Sequence, residues 1–322
     1  KIMKSYLILT IILFNLSLNM PQIPADYEIA PWHGWKQGAI TYSFDDGCGG
    51  QLQSAIPSLN KYGLKATFNL VTNWVNNWGG WKQAAQSGHE IASHTVSHAN
   101  LNGAGENELS QSKQIIEQQI GQECVTIVYP NCITGNKGSI ARYYISGRTC
   151  SGQLVSNNIG DMFEISSIII GNTGQYNSAQ ALNNLADSAA QQNKWAVYLI
   201  HGVDNDGGYS PISSQALDQH FSYVKQQDKV WVATFKDVSK YILEANNLVI
   251  SETGSGDSYM VDVSCSHQTS VTKLDTPVTI ARKVSCANPQ VKQNGSPVNA
   301  TPYNGKVIFD VVPGNKYTIS CQ

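Results

Sequence analysis

Charge is scarce in this chain: Asp, Glu, Lys and Arg make up 14% of its 322 residues, against about 25% in an average soluble protein. The formal net charge is −2, so there is no basic surplus for nucleic acid to bind, and none is expected as a partner. Long hydrophobic runs are also lacking. The N-terminal one, Tyr6 to Leu18, is broken at Thr10, Asn15 and Ser17 and covers about 13 residues, where a helix crossing a bilayer needs roughly 20. With Lys4 before it and Pro21 after it, residues 1–20 read as a secretory signal peptide. The mature protein is then expected to be secreted and extracellular, with no membrane segment left.

What is present fits that compartment. Seven cysteines entering an oxidising environment should mostly pair, with at least one left over. Asn294-Gly-Ser and Asn299-Ala-Thr match the N-glycosylation pattern, although a proline follows each.

From Ile40 to Leu248, short runs rich in Val, Ile, Tyr and Phe alternate with stretches of helical spacing, the pattern of repeated βα units around a parallel sheet. Strands are expected at 40–44, 66–71, 90–93, 125–129, 143–148, 165–170, 195–200 and 230–235. Helices are expected near 52–62, 81–87, 107–120, 179–192, 213–227 and 236–245. The fold class is therefore α/β, a closed or nearly closed (β/α) barrel of seven or eight units over residues 21–250. Gly, Ser, Thr and Asp cluster at 251–258, which reads as a linker. Beyond it, alternating runs separated by Asn294-Gly and Pro313-Gly predict a small β-sandwich over 259–322. One disulfide is expected there among Cys265, Cys286 and Cys321, because a small core gains most from a crosslink.

Barrel enzymes hold their reactive groups where strands end and loops begin. The first strand ends in Asp45-Asp46-Gly47. Adjacent residues on an extended chain point apart, so one carboxylate can bind a metal while the other acts as a base. The third strand ends in His94, with His98 four residues on, a spacing that on one helical turn aims both imidazoles to one side. A zinc protease would need Glu after the first histidine, and Thr95 stands there. Asp46, His94 and His98 form a set of two nitrogens and one oxygen that suits one divalent metal. Zinc fits best, with cobalt or another divalent ion as alternatives. His201, delivered by the apolar run 195–200, is placed to donate a proton. Each motif also has a plainer reading: turn aspartates, surface histidines, a buried histidine.

Three segments, Ser43-Phe-Asp-Asp-Gly47, Ser93-His-Thr-Val-Ser-His98 and Leu199-Ile-His201, resemble in that order the motifs of the polysaccharide deacetylases, the NodB-homology family or carbohydrate esterase family 4. Gly63-Leu-Lys-Ala-Thr-Phe68 and Ser87-Gly-His-Glu-Ile91 extend the resemblance, which spans residues 31–243. It implies a distorted (β/α) barrel, with Asp45 as general base, Asp46, His94 and His98 as metal ligands and His201 as general acid. It also implies a hydrolase that removes acetyl groups from a polysaccharide such as chitin, peptidoglycan or xylan, N-acetyl favoured over O-acetyl.

Two departures stand out. Familiar members carry an arginine where this chain has Val128; Arg148 is the candidate substitute, and the backbone N–H of Asn131 the candidate oxyanion donor. No Asp-x-x-Asp-Trp segment precedes Trp195, which leaves Asp161 and Asp204 as candidates to orient His201. A bridge between Cys132 and Cys150 would stiffen the loops near the site. Trp32, Trp35, Trp74 and Trp78 are given no role. The rivals are an inactive carbohydrate-binding or cell-wall protein on the same barrel and a metal-dependent amidohydrolase of small molecules. The sequence is silent on oligomeric state.

Overall fold

A computed structural model describes residues 23–256 and 258–321; the expected signal peptide lies outside the described residues. Strand β1 (Tyr27–Ile29) precedes the barrel. The barrel strands are β2 (Gly38–Asp45), β3 (Thr67–Leu70), β4 (Glu90–Ser93), β5 (Thr126–Val128), β6 (Ser146–Arg148), β7 (Ile168–Ile169), β8 (Trp195–Ile200) and β9 (Val230–Val232). Between and after them run helices α1 (Ile56–Lys61), α2 (Trp78–Gln86), α3 (Asn107–Ile120), α4 (Lys137–Ile140), α5 (Ala179–Gln191), α6 (Ser214–Gln227) and α7 (Phe235–Ala245). Every expected strand and helix of the barrel is present. The strands pair in parallel in the order β6-β5-β4-β3-β2-β8-β7, with β9 beside the start of β2. A single bridge between Arg148 and Ile165 closes the circle, which makes the barrel a distorted one.

The period of two along each strand sorts the side chains. Ile40, Tyr42 and Phe44 of β2 join Phe68, Ile91, Ile127 and Tyr198 in the large core beneath the helices. Thr41, Ser43 and Asp45 point the other way and are also buried. One end of this interior is plugged by α7, whose Phe235, Val238 and Ile242 pack on Ala39, Trp195 and Val197. Buried Glu90 accepts the Lys236 N–H at the start of that helix, at 2.9 Å, and the hydroxyls of Thr67 and Thr126. A carboxylate there answers the helix dipole. The other end, where Asp45 sits, stays open.

The remaining strands are β10 (Leu248–Ser255), β11 (Ser258–Cys265), β12 (Val278–Lys283), β13 (Pro289–Gln293), β14 (Ser296–Pro297), β15 (Ala300–Tyr303), β16 (Lys306–Val311) and β17 (Lys316–Cys321). They form two antiparallel sheets, β1-β12-β16-β15 and β10-β11-β17-β13-β14, around one shared core. Here two expectations need correction. The segment 251–258 is no linker: β10 and β11 pair from Leu248↔Cys265 to Ser255↔Ser258, a continuous hairpin. Its small polar residues lie on exposed positions of a ladder, where pairing partners rather than composition decide the backbone. The sandwich also borrows β1 from before the barrel, where Tyr27 opposes Arg282 and donates from its hydroxyl to Glu252. The boundaries 21 and 259 therefore do not separate two independent pieces. Of the C-terminal cysteines, Cys286 and Cys321 pair and Cys265 is free. Only four of the seven cysteines pair, since Cys48 and Cys124 are free as well.

Candidate active site

Asp45 ends β2 on its inward face, and it is 2% exposed. Asp46 and Gly47 follow with φ of 71° and 69°, a left-handed turn that swings Asp46 out of the strand. That conformation is costly for Asp46, and such outliers gather at functional sites. Both Asp45 oxygens are engaged. Asn69, its register partner on β3, donates to Oδ1 at 2.8 Å. The Arg148 guanidinium at the end of β6 donates to Oδ2 and, at 3.0 Å, to Ser167 Oγ. Burial alone would raise the Asp45 pKa, but the charges of Arg148, His94 and His201 and the Arg148 hydrogen bond outweigh it and lower it. Asp45 is thus held as an ionised carboxylate in a buried setting.

Asp46 is driven the opposite way, up to about 6, by burial and then by the charge of Asp45. Its Oδ1 is buried with no hydrogen-bond partner. It lies 3.5 Å from His94 Nε2 and 3.9 Å from His98 Nε2, and the three ligand atoms all fall within 4.8 Å of one another. His94 Nδ1 meets the Val128 carbonyl at 2.9 Å, which makes it the donor nitrogen and leaves Nε2 a lone pair for the cluster. Burial pushes His94 down to about 4 and lowers His98, so neither imidazole is protonated at neutral pH. An orphaned buried carboxylate oxygen facing two neutral imidazoles fits a divalent cation.

The histidine pair gets its geometry differently from the expectation. Residues 94–98 form no helical turn. The backbone of His94 to Val96 stays bonded to the segment after β3, with Thr72 N–H donating to Thr95 O and Asn73 N–H to Val96 O. Helical i→i−4 bonds are thereby precluded, and Thr95 and His98 take φ of 69° and 62°. Glu108 of α3 pins the loop by accepting from the N–H groups of Val96 and Ser97 and from the Ser97 hydroxyl, at 2.7–3.0 Å.

His201 follows β8, with Nε2 3.9 Å from Asp45 Oδ2. Gln51 ties both strand ends together, donating to the carbonyls of Asp45 and His201 at 2.6 and 2.9 Å. His201 Nδ1 is buried without a partner, and neither candidate orienting carboxylate reaches it. Asp161 is held by Lys137 at 2.7 Å and caps the Phe163 N–H; Asp204 caps the Ser214 N–H. The edge-on ring of Tyr209, 5.1 Å from the imidazole, is what packs against it instead.

Asn131 and Cys132, both with positive φ, line the same cavity of about 410 Å³ as Asp45, Asp46, His94, His98, Arg148 and His201. The bridge between Cys132 and Cys150 is present, joining the loop of Asn131 to the strand end of Arg148. All seven candidate residues are therefore brought together. Asn69, Ser167 and Tyr209 were missed. A polar residue on the inward face of an apolar strand was the signal for Asn69.

Residues 35–140 match the model of the polysaccharide deacetylase family, a span that holds Asp45, Asp46, His94, His98 and Asn131. Over 307 residues the chain is 24% identical to the gellan lyase of a Bacillus species, covering 86% of this chain and 12% of that protein. Over 100 residues it is 33% identical to YxkH of Bacillus subtilis (strain 168), described as a candidate polysaccharide deacetylase, covering 28% of this chain and 36% of that one. This chain thus spans about an eighth and about a third of these two relatives. A protein of Pseudomonas aeruginosa PAO1 with the same description superposes with a TM-score of 0.54 at 14% identity, over 66% of this chain and 93% of that one, a likeness of fold. Residues 35–140, the first part of the barrel, are thus similar to the polysaccharide deacetylase family.

Proposed function

We propose that this chain is a secreted, metal-dependent deacetylase that hydrolyses acetyl groups, N-acetyl before O-acetyl, from a polysaccharide such as chitin, peptidoglycan or xylan. The observation that carries this is the pairing of two neighbouring carboxylates with opposite pKa shifts. Asp45 is held ionised by Arg148, and Asp46 lies unpartnered against two neutral imidazoles. Such a pair separates the role of base from that of ligand.

Asp46, His94 and His98 would hold the cation. When bound, zinc or a similar ion supplies Lewis acidity and brings the pKa of a water towards about 7. Asp45 takes the proton of the attacking water as its oxygen adds to the acetyl carbonyl. Arg148 and Asn69 keep the Asp45 carboxylate aimed while this happens. The Asn131 N–H donates to the carbonyl oxygen as negative charge gathers there, a donor of this kind being worth about 3 kcal/mol. His201 gives a proton to the departing sugar nitrogen or oxygen, and acetate leaves. Among the described residues no helix is long and apolar enough to cross a membrane, and the two disulfides suit an oxidising compartment.

One observation favours a second reading, a polysaccharide-binding protein on a weakened barrel: nothing orients His201 Nδ1. Acetate release from chitin oligomers, acetylxylan and peptidoglycan, with zinc or chelator and beside Asp46→Ala, separates the two. Chelator-sensitive release absent from the variant supports the enzyme. A stoichiometric cation with polysaccharide binding but no release supports the second reading.

A further inference from the structure

The parallel ladder between β2 and β8 runs from Ala39↔Trp195 to Phe44↔Ile200. The next pair in that register, Asp45 and His201, lies just beyond its last rung. Gln51 stands at this gap, fully buried. Its amide nitrogen has two hydrogens to give, and it donates to the Asp45 and His201 carbonyls at 2.6 and 2.9 Å. A flipped amide would set oxygen against two carbonyl oxygens, so its orientation is fixed. Among the described residues Gln51 Oε1 has no partner, and a buried amide with an idle oxygen asks for a reason beyond packing. Asp206 repeats the link between the same two segments. Its Oδ2 accepts from the N–H groups of Gly50 and Val203 at 3.0 and 3.1 Å, and its Oδ1 from that of Gly208 at 2.9 Å. The two backbones are in close contact there, since a Cβ on Gly50 would come within 2.5 Å of the Val203 carbonyl oxygen. Residues Gln51–Ala55 form a π-helical turn, a rare conformation that recurs at functional sites.

Resting on the deacetylase reading, we propose that Gln51 is a positioning residue that replaces the missing rung between β2 and β8 and holds His201 in place relative to Asp45, with Asp206 as its support. The His201 ring has no hydrogen bond of its own to aim it. Among the described residues its Nδ1 is without a partner, and its Nε2 lies 3.9 Å from Asp45 Oδ2. The main chain at residue 201 therefore supplies the aim that a carboxylate on the ring does not, and Gln51 fixes that main chain from the side of Asp45. Misplacing a proton donor by about 1 Å is enough to slow a reaction about 100-fold.

A joint that serves proton donation matters only where the leaving group needs a proton. The test is Gln51→Met, which keeps the length of the side chain and removes both donors. It is assayed on N-acetylglucosamine hexamer or acetylxylan, whichever the wild-type protein hydrolyses, and on p-nitrophenyl acetate, whose phenolate leaves unprotonated. On the glycan kcat is expected to fall about 10–100-fold at unchanged KM. On p-nitrophenyl acetate it should fall less than about threefold, with the cation still bound. Amide hydrogen exchange over residues 202–209, read by mass spectrometry, should quicken at least about tenfold while β2 and β8 stay protected. Asp206→Asn, which leaves Gln51 in place, should give the same pattern more weakly, and it decides the matter if Gln51→Met does not fold. Equal loss on both kinds of substrate, loss of the cation, or unchanged exchange over 202–209 overturns the proposal, because Gln51 would then support only the fold. A wild-type protein that releases acetate from none of these substrates removes the deacetylase reading instead, and the exchange result alone then keeps or overturns the joint.

Discussion

At the open end of the barrel, seven non-glycine residues hold positive φ: Asp46, Thr95, His98, Asn131, Cys132, Asp204 and Ser210. In the sandwich, among the described residues, the two that do so are Asn294 and Asn304, each before a glycine in a two-residue hairpin turn that asks for that conformation. Polar burial divides the same way. Asp46 Oδ1, Asn69 Oδ1, Arg148 Nε and His201 Nδ1 are buried around the cavity without partners, and no side chain of the described sandwich is in that state. Its one buried arginine, Arg282, is doubly bonded to Glu252 at 2.8 and 2.9 Å and stacks on Tyr259. Among the described residues, unmet polarity is thus concentrated at the end of the barrel where a ligand can answer it, with Trp32 Nε1 the one such atom elsewhere, while the sandwich has closed its own accounts.

The contrast is sharpest for the charged residues. Asp45→Asn should lower kcat for acetate release by about 10²–10⁴-fold while the cation content, read by atomic spectroscopy, stays at that of the wild type. Glu252→Gln in the sandwich should leave kcat unchanged. A large loss of kcat from Glu252→Gln would break the comparison.

Next come the disulfides. Replacing Cys286 and Cys321 by serine removes a crosslink over 35 residues and should cost about 4 kcal/mol in denaturant unfolding, with kcat intact. Replacing Cys132 and Cys150 opens a loop of 18 residues and should cost about 3 kcal/mol, but here kcat should fall as well, because Asn131 and Arg148 flank the bridge. Equal kinetics in the two double variants would show the bridge at the cavity to be merely structural.

Acidity gives a smaller effect. The Asp46 carboxyl, pushed up to about 6, keeps its proton below that pH, and a cation must displace it. His94, pushed down to about 4, is already free of its proton there. The dissociation constant for zinc, measured by competition with a chelator dye, should therefore weaken about tenfold from pH 7 to pH 5 and stay nearly flat above pH 7. Smallest is a turn substitution in the sandwich. Gly295 holds φ of 87°, so Gly295→Ala should lower stability by about 1 kcal/mol in thermal unfolding and leave cation binding untouched.

The barrel was legible because its information is local. Period-two runs mark the strands, helical spacing marks the helices, and a polar residue just after an apolar strand marks Asp45, His94 and His201 as candidates. What escaped depends on distant partners. The loop carrying His94 and His98 is shaped by its bonds to Val71's neighbours and by Glu108, neither of which a spacing of four can announce. Arg148 could be nominated as a substitute but not chosen, since its ion pair joins residues 103 apart. Asn69 carries a local signal as a polar residue within an apolar strand, but its partner Asp45, like the pairing of Ser167 with Arg148, is set by contacts between distant strands. The hairpin at 248–265 was masked by small polar residues that any loop would also use.

The borrowed strand β1 carries a consequence for how the chain is made. Tyr27 must wait for Glu252, 225 residues later, and Glu28 for Lys306, 278 residues later, so during synthesis the N-terminal edge of the sandwich emerges long before its partners do. The barrel can assemble in the interval, since nearly all its strand partners are already out, whereas the sandwich is completed last and across the longest loop in the molecule. A shortened chain ending after α7 would keep Asp45, Asp46, His94, His98 and His201 yet carry an orphaned strand, and a sandwich expressed from residue 248 onward would lack its own edge. Grafting this module onto another enzyme therefore requires moving both ends of the chain at once.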